Sequence, residues 1–118
     1  MRRISLFVLF FPVAFSSQAQ HENNKAGKIT GRIIDSLSSQ PVEYATISLF
    51  AQSENKVVNG TMSGSKGVFT LTDVSEGNYK MLIEFIGYKK GEKNNIIVRK
   101  ENQNIILGNI KLSCKQRI

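Results

Sequence analysis

Apolar and polar residues alternate along short stretches of the chain, and turn-forming residues separate these stretches. In residues 44–50, the side chains of Ala45, Ile47 and Leu49 would share one face of a strand, with mostly polar side chains on the other face. Residues 78–85 show the same period of two. Both segments are therefore predicted to be central strands, each with one buried face.

A few aromatic residues are expected to anchor the core. Four of the seven Phe lie in the first fifteen residues, so the rest of the chain depends mainly on Ile, Val and Leu for its interior. Within residues 78–85, Tyr79, Ile83 and Phe85 fall on one face, and Phe69 follows closely after a glycine that permits a tight turn. We predict that Phe69, Tyr79, Ile83 and Phe85 are core residues.

Seven strands and no helix are predicted. Gly, Asn, Ser or Pro separates the strands about every eight to twelve residues, a spacing typical of a sandwich. The glycine-rich stretch at residues 60–67 is expected to be a hairpin turn, because it lacks the Lys-Ser/Thr ending of a phosphate-binding loop. The sequence thus indicates an all-β fold, a seven-stranded antiparallel β-sandwich. The predicted strands are residues 28–34, 44–50, 56–61, 68–73, 77–85, 95–100 and 104–112.

The first residues have the features of a secretory signal peptide. Two arginines precede an apolar run at residues 4–15, and the small residues Ser17 and Ala19 follow at the positions that signal peptidase requires. The run is too short to span a bilayer, which takes about 20 residues. We therefore assign residues 1–19 to a cleaved signal peptide and residues 20–26 to a flexible lead-in, and expect an exported protein without a transmembrane span.

The distribution of charge bears on whether the protein binds nucleic acid, and the single cysteine bears on how the fold is stabilised. The chain has a formal net charge of +7, and removal of residues 1–19 leaves 14 basic and 9 acidic side chains. Because the basic residues are scattered and are not interleaved with aromatic ones, we expect no nucleic-acid partner. Cys114 has no second cysteine for an internal disulfide, so stability must come from the core.

Four ordered blocks of the sequence carry a resemblance to a known family. The blocks are Gly31-Arg32-Ile33-Ile34-Asp35, Gln40-Pro41-Val42-Glu43-Tyr44-Ala45-Thr46-Ile47-Ser48-Leu49, Gly60-Thr61-Met62-Ser63-Gly64-Ser65-Lys66-Gly67-Val68-Phe69-Thr70-Leu71 and Gly77-Asn78-Tyr79-Lys80-Met81-Leu82-Ile83-Glu84-Phe85-Ile86-Gly87-Tyr88. Together they resemble the carboxypeptidase regulatory-like domain over residues 27–112, which leaves residues 113–118 as a tail. The resemblance implies a transthyretin-like (prealbumin-like) sandwich of seven strands. The chain departs from the family pattern at Gly64, where an acidic residue is usual, and at Ser75, where a proline is usual.

Domains of this family commonly precede the plug and barrel of TonB-dependent outer-membrane receptors. The resemblance therefore implies a non-catalytic exported module, similar to the N-terminal periplasmic extension of such a receptor. Its partner would be the receptor plug and barrel or another envelope protein during nutrient uptake, and its location the periplasm or the outer membrane. The chain is expected to be either a truncated receptor or a free-standing domain. The alternative function is a free-standing periplasmic or secreted domain that binds carbohydrate, peptide or protein.

The residue types that catalysis or metal binding requires are scarce in the sequence. His21 is the only histidine and lies in the lead-in, whereas a zinc peptidase needs at least two imidazoles or equivalent ligands and a general base. The same scarcity argues against an acyl-transfer triad at any serine or at Cys114. Asn59-Gly60-Thr61 fits the N-glycosylation pattern, but a bacterial export setting disfavours modification. We predict no enzyme activity and no catalytic, cofactor-binding or metal-binding residue.

The signal-peptide assignment predicts that the mature protein begins at Gln20. Signal peptidase cleaves after small residues, and Ala19 occupies the last position before the predicted cut. Intact-mass analysis of the exported protein should show the loss of residues 1–19. A product that retains Met1 would contradict the assignment.

Overall fold

The computed structural model describes residues 26–115, and the regular structure within them is entirely β-strand. The number of strands agrees with the prediction, although several bounds differ by a few residues. No helix in this range is long and apolar enough to cross a membrane. The predicted signal peptide lies outside the described residues. The strands are β1 (Gly27–Asp35), β2 (Thr46–Ala51), β3 (Val57–Met62), β4 (Val68–Val74), β5 (Gly77–Glu84), β6 (Gly91–Val98) and β7 (Asn104–Leu112).

The strands form two sheets. One sheet has the order β4-β1-β7, and the other has the order β3-β2-β5-β6. β2 and β5 contain the two clearest alternations, and both lie at the centre of the larger sheet as predicted. The expectation of a wholly antiparallel sandwich is wrong at one ladder, because β1 and β7 run parallel. Parallel neighbours need a long connection, and the other five strands lie between these two in the sequence.

The sixth strand begins earlier than predicted. The sequence predicts residues 95–100, whereas β6 is Gly91–Val98, and only Ile96 and Val98 in it are buried. The first half of the strand is polar on both faces, so no alternation marks its start. At Asn95 the backbone has a φ of +57°, in the segment where the register between β5 and β6 shifts. Because of this irregularity, side chains before and after Asn95 do not alternate regularly between the two faces, and a strand is predicted from such alternation.

Residues 60–67 contain a tight turn, in which the Gly67 amide donates to the Gly64 carbonyl and the Gly64 amide donates to the Val68 carbonyl, both at 2.9 Å, but the strands on either side do not pair as a hairpin. β3 and β4 belong to different sheets, so this segment carries the chain from one sheet to the other. Ser63 is buried at the crossing, where its hydroxyl donates to the Val42 carbonyl at 2.7 Å and accepts from the Ala45 amide at 2.9 Å. Gly67 then turns the chain toward β4 with a φ of +74°, and a Cβ atom there would overlap the backbone of β1. The spacing of glycines does not distinguish such a crossing from a hairpin.

The core lies between the sheets and is mainly aliphatic. Phe69, Tyr79 and Ile83 are buried, as predicted. Phe85 is only partly buried, because it follows the end of β5 and packs at the margin of the core. No side chain of β3 is buried. The core consists of Ile29, Ile33, Val42, Ala45, Ile47, Leu49, Phe69, Leu71, Val74, Tyr79, Met81, Ile83, Ile96, Val98, Ile110 and Leu112.

Replacement of Phe69 by alanine is expected to destabilise the domain strongly. The Phe69 side chain is 2% exposed, and its ring lies against Gly31 of the neighbouring strand. Truncation of a buried Phe costs about 3–5 kcal/mol, whereas the whole free energy of unfolding of a domain is about 5–15 kcal/mol. Thermal and urea unfolding of Phe69→Ala should therefore show a much lower midpoint or an unfolded protein.

Two further variants serve as controls for this prediction. The Lys89 side chain is exposed, so Lys89→Ala should unfold close to the wild type. Phe85→Ala should fall between the two, because the Phe85 ring is only partly buried. Equal unfolding midpoints for Phe69→Ala and Lys89→Ala would contradict the assignment of the core.

Candidate functional site

Three loops and the residues after β7 meet at one end of the sandwich, which we call the apex. It is the end at which β1 and β7 terminate. Backbone hydrogen bonds join the segments there: the Tyr44 amide donates to the Ser63 carbonyl, and the Lys89 amide donates to the Ser113 carbonyl. The apex comprises residues 36–45, 63–67, 85–90 and 113–115.

Exposed apolar side chains are concentrated at the apex. Leu37, Tyr44 and Ile86 are 88%, 63% and 86% exposed. Met62 and Val68, at the end of β3 and the start of β4, border the apex and are also exposed. Five of the nine exposed large apolar side chains of residues 26–115 therefore lie at or beside this end. Single exposed apolar residues are normal, but a group of them indicates a contact surface.

Two adjoining depressions in the apex share an aromatic lining. Their volumes are about 440 and 420 Å³, and Tyr44, Phe85 and Tyr88 line both. The rings of Phe85 and Tyr88 form one wall, with centroids 6.0 Å apart and planes inclined at 43°. Ile86 and Lys115 line the larger depression. We call the surface formed by Tyr44, Phe85, Ile86 and Tyr88 the aromatic groove.

A strained backbone holds Tyr44 in the groove. Its φ is +63°, in the left-handed region that bulky side chains rarely adopt. The Tyr44 amide donates to the Ser63 carbonyl at 2.9 Å, and the Ser63 hydroxyl accepts from the adjacent Ala45 amide. These hydrogen bonds impose the conformation and keep the ring exposed. Backbone strain of this kind is concentrated at functional positions.

The carboxylate of Asp35 supports the wall that Phe85 and Tyr88 form, across the groove from Tyr44. Oδ1 accepts from the amides of Leu37 and Ser38 at 2.8 and 2.9 Å, and Oδ2 accepts from the Tyr88 hydroxyl at 2.7 Å. The Cys114 thiol donates weakly to Oδ2 at 3.7 Å. These donors, led by the Ser38 amide and then the Tyr88 hydroxyl, hold the pKa of Asp35 well below its usual range. The hydrogen bond to Asp35 in turn raises the pKa of Tyr88 to about 12.

The residues directly after β7 close this wall of the groove. The Lys89 amide donates to the Ser113 carbonyl at 2.8 Å, and the Lys115 amide donates to the Gly87 carbonyl at 2.9 Å. The two short segments therefore pair as strands do, with Cys114 in the middle of one of them. The first residues of the predicted tail thus belong to the hydrogen-bonded structure of the apex.

The sequence alone assigns no residue to a site, but its pattern of polar and apolar positions indicates that one residue of the groove is exposed. Tyr44 falls on the polar face of the alternation that buries Ala45 and Ile47, so an exposed aromatic ring follows from the pattern. No sequence pattern indicates the hydrogen bond that supports the wall across from Tyr44. Tyr88 and Asp35 are 53 positions apart in the sequence, and no local pattern links them.

A family model covers nearly all of the sandwich and most of the apex. The model of the carboxypeptidase regulatory-like domain matches residues 28–113. The chain belongs to this family. No protein of curated function matches the chain.

Solved structures with a similar fold include a pilin subunit, a cohesin–X-dockerin complex and a hydrolase. The major pilin subunit of Bacillus cereus is 16% identical, with a TM-score of 0.59 over 77% of this chain and 30% of the pilin. A cohesin–X-dockerin complex from Acetivibrio cellulolyticus is 16% identical, with a TM-score of 0.58 over 75% of this chain and 56% of the other. Klebsiella pneumoniae 5-hydroxyisourate hydrolase is 16% identical, with a TM-score of 0.56 over 74% of this chain and 86% of the enzyme. This carboxypeptidase regulatory-like domain is a transthyretin-like sandwich, and it spans less than two thirds of the first two proteins.

Other residues considered for chemistry are dispersed or already engaged. Within residues 26–115 of this carboxypeptidase regulatory-like domain, no three His, Cys, Asp or Glu side chains are grouped as metal ligands would be. His21 lies outside the described residues. The side chain of Asn59 donates to the Thr72 carbonyl at 2.9 Å and accepts from the Gly60 amide at 2.8 Å. The Asn59 amide that glycosylation would modify therefore already links β3 to β4.

The hydrogen bonds of Asp35 predict that the domain loses stability in acid. Folding lowers the pKa of Asp35 below its usual 3.8, so the unfolded chain binds this proton more readily than the folded domain does. The resulting stabilisation is present above about pH 4 and is lost as the pH falls further. Thermal melts from about pH 7 to about pH 2 should show a steep decline for the wild type and a shallower one for Asp35→Asn, which starts from a lower midpoint.

Two variants separate this effect from general acid denaturation. Tyr88→Phe removes one donor to Asp35 and brings the folded-state pKa of Asp35 closer to that of the unfolded chain, so its decline should begin at the same pH as that of the wild type and be smaller. Glu101→Gln removes an exposed carboxylate at the opposite end of the sandwich and should leave the profile unchanged. Parallel profiles for Asp35→Asn and the wild type would show that Asp35 does not contribute.

Proposed function

We propose that this domain is a non-catalytic, exported module that makes protein contacts through its apex. The observation that carries the proposal is the aromatic groove, in which Tyr44 lies beside Phe85 and Tyr88. Aromatic residues are enriched at protein interfaces and supply much of their binding energy. Loops that a rigid scaffold positions are also a frequent place for binding residues.

The support of the groove favours binding by a preformed surface. Asp35 orients Tyr88, and Ser63 fixes the backbone at Tyr44. A partner would therefore cause little ordering of these side chains, and ordering is one of the main costs of association. Ile86 within the groove and Leu37 elsewhere in the apex are exposed and offer further apolar surface for burial.

Charged side chains around the groove indicate the chemistry of the partner. Among the described residues, the one ion pair joins Lys90 and Glu84 at 3.7 Å, and the two side chains are 69% and 44% exposed. Lys89 and Lys115 lie in the paired segments on the same wall, whereas Glu43 lines the other depression. A partner that presents an apolar side chain flanked by carboxylates fits the lysine side of the groove.

The family and the predicted signal peptide support a setting in the cell envelope. We propose that the partner is a polypeptide of a TonB-dependent outer-membrane receptor, and that the domain acts as a periplasmic extension during nutrient uptake. Sandwiches of similar fold occur in a pilin subunit and in a cohesin–X-dockerin complex. These occurrences support a role in a protein assembly. The proposed location is the periplasmic side of the outer membrane.

The proposal that the domain lacks enzyme activity rests on its side-chain chemistry. Residues 26–115 contain no histidine, and the side chains that could supply metal ligands are not grouped there. Asp35, the carboxylate with the most perturbed pKa, is held ionised by its donors and supports the groove. It is therefore poorly suited to act as a general base near neutral pH.

A free-standing domain that binds a small ligand, a carbohydrate or a peptide is the second candidate function. The observation that favours it is the lining of the apex depression of about 440 Å³, in which the rings of Tyr44, Phe85 and Tyr88 lie with Glu84 and Lys90. Small-molecule sites commonly have volumes of about 300–1,000 Å³ and combine apolar walls with a few polar groups. The hydroxyls of Tyr44 and Tyr88 would supply such groups.

Site-specific cross-linking tests the proposed contact. A photo-activatable cross-linking residue replaces Ile86 at the apex in one variant and Glu101 at the opposite end in the other, and both positions are exposed. After irradiation of cells that export each variant, the linked polypeptides are identified by mass spectrometry. We expect a TonB-dependent receptor polypeptide to be linked at Ile86 and not at Glu101.

Two outcomes would contradict the receptor setting. One is the absence of a receptor polypeptide among the products of the Ile86 variant, and the other is equal linkage at both positions. Chemical-shift changes at Tyr44 and Tyr88 on addition of an oligosaccharide or a peptide, without a receptor cross-link, would support the second candidate.

A further inference from the structure

The first and last strands of the sandwich are parallel neighbours. The ladder between β1 and β7 runs from the pair Lys28–Asn104 to the pair Asp35–Leu112. The start of β1 and the end of β7 therefore lie at opposite ends of one ladder. Two nine-residue strands of this kind are about 30 Å long, so the two points are separated by the length of the sandwich.

Further hydrogen bonds lie at both ends of the ladder. The Lys28 amide donates to the Gln103 carbonyl at 2.7 Å, and the Ser36 amide donates to the Leu112 carbonyl at 2.9 Å. The register shifts once, in the part of β7 that contains Gly108 with a φ of +75°. The two strands are thus paired along their length, in two runs on either side of this shift.

β1 is also fixed on its other edge and on its inner face. It pairs with β4 on the side away from β7. Its side chains Ile29 and Ile33 are fully buried in the core. Sliding of β1 along β7 would therefore require these side chains to leave the core while the ladder hydrogen bonds break.

Tension between the start of β1 and the end of β7 acts parallel to the strands. It therefore loads the ladder hydrogen bonds together, in shear, and not one after another. We propose that the domain is a mechanical clamp, which passes tension from the segment before Gly27 to the segment after Leu112 without unfolding. This proposal does not depend on the function proposed for the aromatic groove.

Other directions of pull lack this protection. The pairs β2–β3 and β5–β6 are antiparallel and consecutive in sequence, so a pull on their free ends would open them one residue pair at a time. The rate of forced unfolding follows the barrier along the direction of pull and not the equilibrium free energy of unfolding. The same folded domain should therefore be strong in one direction and weak in another.

Single-molecule force measurements with two pairs of attachment points test the clamp. Both variants carry Cys114→Ser, so that only the introduced thiols react. Lys28→Cys with Lys111→Cys places the attachment points at opposite ends of the β1–β7 ladder, because Lys111 pairs with Ile34 near its far end. Lys28→Cys with Asn104→Cys places them side by side at one end, where a pull opens the ladder pair by pair.

At the same constant force, the Lys28/Lys111 variant should stay folded at least about tenfold longer than the Lys28/Asn104 variant, a difference of about 1.4 kcal/mol in barrier height. Complete unfolding should lengthen either tether by at most about 270 Å, in one step. A lifetime ratio below about tenfold would overturn the proposal. A partial first step in the Lys28/Lys111 variant would also overturn it, because the domain would then yield outside the ladder.

The comparison requires that both variants fold equally well. Lys28, Asn104 and Lys111 are exposed, so their replacement removes no core contact. Equal urea midpoints for the two variants verify this before the force measurement. Asn109, which is exposed and pairs with Arg32, is the substitute attachment point if Lys111→Cys lowers the midpoint.

Discussion

The ring of Phe69 lies on the backbone of Gly31, and the packing of the core against β1 depends on this contact. The two residues face each other in the β1–β4 ladder, and a Cβ atom on Gly31 would lie 2.6 Å from the ring. Because Gly31 has no side chain, the most deeply buried ring of the core can cover β1 directly. A larger residue at Gly31 would push the ring into aliphatic neighbours that are already close-packed. The sequence therefore uses one glycine in a strand, where glycine is otherwise unfavourable, to fit its main aromatic residue.

This packing also determines the geometry of the apex. β1 is buried on its inner face and paired on both edges, and Asp35 is its last residue. Whatever fixes β1 in the core therefore fixes the carboxylate that accepts the Tyr88 hydroxyl at 2.7 Å. The groove wall is thus an extension of the core and does not depend on the loops alone. For the same reason, a substitution in the core that shifts β1 would alter the groove even though the substituted residue does not contact the groove.

The parts of the fold that follow a local period of two could be predicted, and the parts set by distant contacts could not. β2 and β5 are half-buried central strands, so their alternation is clear in the sequence. The start of β6 is polar on both faces, and its strand character comes from pairing with β5. The parallel pairing of β1 with β7 and the crossing at residues 60–67 depend on which sheet each strand joins, which is a long-range choice. In the site, Tyr44 is visible as an aromatic residue on a polar face, whereas the bond from Tyr88 to Asp35 depends on that same long-range arrangement.

The aromatic groove and the β1–β7 ladder share the same hydrogen bonds at the apex. After β7 ends at Leu112, the chain is bonded at once to the segment that carries Tyr88, through the Ser113 carbonyl and the Lys115 amide. Under the tension that we propose, a pull on the chain beyond β7 would load these two hydrogen bonds of the groove wall first. The Tyr88 hydroxyl, bonded to Asp35 at 2.7 Å, joins this segment to the end of β1, where the ladder with β7 also ends. A partner that holds Tyr88 in place would consequently oppose the first movement under tension, so contact and mechanical resistance would reinforce each other.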